Sequence, residues 1–122
     1  MSYLLDTNIC IYIINARPAH VLERFRQESI GDIGISSITA AELAFGVIKS
    51  GSKKNRRALE MFFAPLELFA FNASAMWHYG EIRTELETKG TPVGSRDTMI
   101  AAHTKALNAV LVTIKSSKRV NH

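Results

Sequence analysis

Apolar and polar positions along this chain fall into short blocks whose periodicity switches repeatedly between two and about three and a half residues. Ser2 to Leu5 reads as a short strand ending at Asp6, and Thr7 to Asn15 carries Ile9, Tyr12 and Ile13 at helical spacing. Pro18 opens a second helical segment, "PAHVLERFRQES", with Val21, Leu22 and Phe25 on one side. In "DIGIS", Ile33 and Ile35 alternate as in a strand. "SITAAELAFGVIKSG" predicts a helix with Ile38, Ala41, Phe45 and Ile48 on its core face, ending near Gly51. "NRRALEMFFAPL" predicts another helix, cut by Pro65, and "LELFAF" alternates like a strand. "ASAMWHYGEIRTELETKG" is the longest helix and stops at Gly90. "GTPVG" is a turn, "SRDTMIAAHTKALN" a helix opened by Ser95, and "AVLVT" a buried strand.

Four short strands separated by helices imply the α/β class, with a mainly parallel sheet between helical layers. At 122 residues the expectation is one domain with a single core, residues 1–122, without internal repeats or linkers. The apolar fraction of 47% and charged fraction of 21% fit an ordinary soluble protein. The longest apolar run, Ile9 to Ile14, is too short to span a bilayer, and no signal-peptide pattern precedes it. A single cysteine, Cys10, forms no internal disulfide and suits a reducing cytoplasm as a small core filler. Tyr12, Phe25, Phe45 and Trp77 are likewise assigned to core packing before any interface.

The net charge of +4 permits contact with nucleic acid without demonstrating it. Lys49, Lys53, Lys54, Arg56 and Arg57 form one basic cluster, and Lys115, Lys118 and Arg119 form another. Such runs are first of all solvated surface, and only second a track for phosphates.

The acids carry more information. Asp6 ends the first strand, where open parallel sheets form their ligand crevices. Capping the next helix is an equally physical role for it. Glu42 lies between Ile38 and Phe45, inside the stripe assigned to the core, where a carboxylate is costly unless paired or bound to a cation. A solvated place at the edge of that stripe is the alternative. Asp97 sits in the first turn of its helix, favoured there by the helix dipole, and leans toward the side of Ile100 and Thr104. Glu81, Glu85 and Glu87 share their helix with Arg83 and Lys89 and read as solvated. If the fold gathers Asp6, Glu42 and Asp97, their repulsion must be offset by cations. A pure carboxylate set prefers Mg2+ or Mn2+, and such sites serve phosphodiester hydrolysis. His20, His78, His103 and His122 show no metal-ligand spacing, so zinc is not expected.

The segments "LLDTN", "SSITAAELAFG" and "GTPVGSRDTMIAAHTKALNAVLVT" resemble, in order and spacing, the PIN-domain ribonucleases, and more narrowly the VapC-type toxins of bacterial toxin–antitoxin pairs. The resemblance covers roughly residues 3 to 113. It implies a compact three-layer α/β/α sandwich and a Mg2+-dependent endoribonuclease, with transfer RNA cut in the anticodon loop as the expected target. By the same resemblance Asp6, Glu42 and Asp97 are the metal-binding acids. Thr7 and Asn8 shape the end of the first strand, and Thr113 is the polar member of the catalytic set at the end of the late strand. A homodimer and a cognate antitoxin, whose C-terminal segment lies across the active site, are the implied partners.

The chain departs from that pattern after "LVT". Where the family continues with a further acid and a closing strand, this sequence reads "IKSSKRVNH", and no acid follows Asp97. Residues 113–122 are therefore expected as an atypical, disorder-prone basic tail, with the last strand missing or altered. Retained fold and metal affinity with weakened cleavage is the expectation, and a PIN domain that binds antitoxin or RNA without cutting is the alternative. A phosphotransfer enzyme is disfavoured because Asp6 is followed by Thr-Asn and not by a second aspartate two residues on. A dinucleotide-binding domain is disfavoured because no Gly-rich loop follows the first strand.

Overall fold

A computed structural model describes residues 2–16, 23, 27, 32–91 and 93–113. The helix expected from Pro18, apart from Glu23 and Gln27, and the tail beyond Thr113 lie outside the described residues. The remaining elements follow in the order β1 (Tyr3–Leu5), α1 (Thr7–Ala16), β2 (Ile33–Ser36), α2 (Ser37–Ser50), α3 (Lys53–Phe63), β3 (Glu67–Phe69), α4 (Ala73–Thr88), α5 (Ser95–Ala106) and β4 (Val110–Val112).

The four strands form one parallel sheet in the order β3-β2-β1-β4. From β1 to β3 the chain steps in one direction, and from β3 it returns past β2 and β1 to the far edge. Right-handed crossovers place the helices of the two directions on opposite faces, which yields the expected α/β/α sandwich. The reversal also creates a switch point between β1 and β4, at whose carboxyl end a crevice opens. The register there pairs Tyr3 with Val110, Leu4 with Leu111 and Leu5 with Val112.

Helix limits are set locally. The Ser36 hydroxyl accepts from Ile38 N at 3.0 Å, Ser52 from Asn55 N at 3.0 Å and Asn72 from Ala75 N at 3.1 Å, each relieving an orphan donor of the first turn. Gly51 closes α2 at φ 67°, a left-handed conformation that costs glycine nothing.

The core gathers Leu5, Ile9, Cys10, Ile13, Ile33, Ile35, Leu43 and Leu59, with Leu4 buried as well. All four residues of β2 are buried, so the alternation expected of Ile33 and Ile35 gives way to burial on both faces, as in an interior parallel strand. Gly34 lies so close to β3 that an added Cβ would overlap the Glu67 carbonyl and the Phe69 ring.

Several expectations about faces are corrected. In α2 the buried residues are Thr39 and Leu43, with Ala40 and Val47 packed beside them. Most of the expected core face is turned outward: Ala41, Phe45 and Ile48 are exposed, and Ile38 is half-buried. This helix has apolar residues around most of its circumference, and the sheet selects the stripe that fits beneath it. Tyr12 is exposed, and Trp77 is 70% exposed rather than packed in the core. β4 has Val110 and Leu111 exposed, because among the described residues it is an edge strand. Among the described residues, no helix is long and apolar enough to cross a membrane.

Candidate active site

A cavity of about 650 Å3 opens at the carboxyl end of the sheet. Asp6, Thr7, Glu42, Arg96, Asp97 and Thr113 line it, drawn from β1, α1, α2, α5 and the end of β4. Asn8 reaches the same wall. All four expected catalytic positions therefore share one depression, although they are scattered over the sequence from residue 6 to residue 113.

Asp6 caps α1 and also lines the cavity. Its Oδ1 accepts from Ile9 N at 2.8 Å, capping α1, while its Oδ2 accepts from the Thr113 hydroxyl. The second bond follows from register, since Asp6 and Thr113 come directly after the Leu5–Val112 pair. Asp6 N donates to Val112 O at 3.0 Å and holds the two strand ends together. Each Asp6 oxygen keeps a lone pair free.

Glu42 is half-buried, not a member of the core stripe, and its desolvation is relieved by two partners. Oε1 accepts from Thr7 Oγ1 at 2.8 Å, and Oε2 pairs with Arg96 Nη1 at 2.6 Å. Asp97 is exposed at the cavity rim, contrary to the inward lean expected of it. The inward positions of α5 are instead Thr98, Ile100, Ala102 and His103. No side-chain partner of Asp97 is found among the described residues.

The sequence motifs do not point to Arg96. One signal was available: it is the second residue of α5, where the positive end of the helix dipole disfavours a cation. A basic side chain placed there is expected to have an acid nearby.

The donor chemistry is entirely oxygen, which suits a hard divalent cation. Among the described residues no three His, Cys, Asp or Glu side chains stand together closely enough to hold an ion. Asp6, Glu42 and Asp97 line one cavity, each brought there by a different element. Magnesium retains several waters and takes one or two carboxylates directly, so the residues present fit it.

Two neighbouring groups are held out of the chemistry. Burial, reinforced by the charge of Asp6, pushes the Cys10 thiol up to about 12, leaving it without thiolate character. His103 is buried on α5 with Nδ1 2.8 Å from Ser36 Oγ and its ring edge-on to Phe71, and desolvation lowers its pKa. It ties α5 to the end of β2. A second hollow of about 500 Å3 shares Thr7 and Glu42 with the acid cavity and continues between α1, α2 and α3 over Ile11, Ile14 and Leu59.

The family model described as the PIN domain matches residues 3–114. Ribonuclease VapC2 of Rickettsia felis is 46% identical over 124 residues, covering 98% of this chain and 92% of the relative. The tRNA(fMet)-specific endonuclease VapC of Salmonella typhimurium is 42% identical over 114 residues, covering 93% and 86%. A crystal structure of VapBC2 from Rickettsia felis bound to a promoter DNA fragment superposes with a TM-score of 0.81 at 45% identity, covering 99% of this chain and 94% of that one.

Proposed function

The chain belongs to the PIN-domain family, among its VapC-type toxins, and from that premise we propose that it is a Mg2+-dependent endoribonuclease acting on transfer RNA. The observation that carries this reading is that Asp6, Glu42 and Asp97, distant in sequence, line one cavity at the switch point of the sheet. Asp6, Glu42 and Asp97 would hold the ion, with Mn2+ as a substitute. A divalent ion in such a site activates water and stabilises charge on the transferring phosphate and the leaving oxygen.

The chain's own residues prepare that chemistry. Thr113 and Ile9 N fix the Asp6 carboxylate from two sides, so that it presents its remaining lone pairs in a constant direction. Thr7 holds Glu42 by one oxygen. Asp97 is exposed at the rim, on the first turn of α5.

Transfer RNA is proposed as substrate because the Salmonella relative is named as a tRNA(fMet)-specific endonuclease. An antitoxin partner is proposed because the superposed Rickettsia protein is a VapBC complex, and the hollow beside the acid cavity offers an apolar seat next to the site. A homodimer is the accompanying proposal, with exposed Tyr12, Phe45 and Trp77 as its candidate apolar surface. Residues 98–122 contain no acid, so cleavage is proposed to be slower than in a version with the family's further acid restored in the tail.

Cleavage of a transfer RNA panel at graded Mg2+ tests the reading, with Asp97→Asn alongside. Metal-dependent cutting that Asp97→Asn abolishes is the expected result. Cutting that survives chelation, or RNA binding with no cutting at any metal concentration, would replace the enzyme by a metal-independent nuclease or a binding module.

A further inference from the structure

Glu42 is held at both oxygens by partners of opposite character. Thr7 is a short, neutral side chain rooted in the first turn of α1, and its bond to Oε1 at 2.8 Å is between two half-buried groups. Arg96 reaches Oε2 at 2.6 Å on a long side chain that is 67% exposed, against 25% for Glu42. The first partner is short and rooted on its helix, with only the stiff χ1 rotation open to it. The second leaves by rotating about its own single bonds into water.

The position of Arg96 on its helix also favours a nearby acid. It stands in the first turn of α5, where backbone amides point outward and a cation is disfavoured. α5 is capped by Gly94 without a side-chain hydrogen bond, and Asp97 is the acid of the same turn. The contact of Arg96 with Glu42 crosses the mouth of the cavity, between α5 and α2, and places a positive charge on the acid surface.

We propose that Arg96 is the resident counter-cation of the acid cavity, occupying the Glu42 oxygen that a divalent ion requires, so that metal entry exchanges one cation for another. This rests on the metal-dependent reading of the site and adds a competitor to it. With Arg96 in place, Glu42 is neutralised and the cavity attracts a second cation less strongly. With Arg96 released, Thr7 still holds the carboxylate in position, so the site opens without being rebuilt. Exposed ion pairs are weak, which makes Arg96 a graded competitor and not a lock.

Mn2+ binding followed by calorimetry or by the loss of free-ion paramagnetic resonance tests this in the absence of RNA. Arg96→Gln is expected to bind Mn2+ about two- to fivefold tighter than the unmodified chain. Arg96→Lys, which keeps the charge without the planar fork, is expected to fall between the two. In a Glu42→Asp background, which keeps the carboxylate but draws it back from Arg96, the gain from Arg96→Gln is expected to shrink. Circular dichroism checks that each variant is folded; loss of a largely solvated side chain leaves the core intact.

Equal or weaker Mn2+ binding by Arg96→Gln overturns the competition while leaving the metal site standing. An undiminished gain in the Glu42→Asp background overturns it too, since Arg96 would then act as a general field and not through Glu42. Absence of Mn2+ binding by both the unmodified chain and Arg96→Gln overturns the metal reading, and the competition with it.

Discussion

The Thr113 hydroxyl donates to Oδ2 of Asp6, one step beyond the last register pair of β1 and β4. The two residues are 107 positions apart, and their bond exists because the last described strand returns beside the first. A carboxylate that also caps α1 through its other oxygen is thereby fixed at two points.

Replacing Thr113 with Ala is expected to lower RNA cleavage about tenfold, because a hydrogen bond to a charged oxygen is lost while the strand pairing remains. Thr113→Ser keeps the hydroxyl and is expected to retain most of the rate. Initial rates at saturating Mg2+ would separate the two. Equal loss in both variants would assign Thr113 a packing role instead.

Asp6 lends itself to a split between stability and chemistry. Asn caps helices as well as Asp does, so Asp6→Asn is expected to leave the thermal midpoint nearly unchanged while removing metal binding and cleavage. Asp6→Ala loses the cap too and is expected to cost about 1 kcal/mol more in unfolding free energy. Paired urea titrations and cleavage assays of the two variants check this.

Gly34→Ala tests the close approach of β2 and β3. The added methyl meets the Glu67 carbonyl and the Phe69 ring, and backbone cannot yield as a flexible side chain does. A loss of about 1–3 kcal/mol is expected from such overpacking. A shifted urea midpoint with an unchanged slope would confirm a stability effect without loss of cooperativity.

Stability is expected to fall in mild acid through His103. Its folded pKa is lowered by burial, so below the ordinary histidine value of about 6.5 the unfolded chain binds a proton that the folded one resists. The contribution is complete at pH above about 6.5 and diminishes as pH drops toward the depressed folded value. Urea midpoints of the chain and of His103→Gln at several pH values between 7.5 and 5 would reveal the difference, with the flatter profile in the variant.

Much of the molecule was legible from short-range chemistry. Caps and stops such as Ser36, Ser52, Asn72 and Gly51 act within a few residues, so the limits of α2, α3 and α4 follow from the sequence to within a residue or two. Asp6 and Asp97 announced themselves by standing at a strand end and in a first helical turn. Glu42 departs from its expected place, since most of the stripe around it faces water; its half-buried place beside Leu43 has the same consequence, a carboxylate that needs a partner.

The sequence by itself determined the order of the elements, their class and the acids worth weighing, because periodicity and capping are local forces. The tertiary structure alone decided which side of α2 is covered, that β4 lies beside β1, and that Arg96 faces Glu42 across the cavity. Parallel strand pairing joins residues that no local preference relates, and an ion pair between two helices depends on where the sheet has placed both. Neither is written in any stretch short enough to be read for its own propensity.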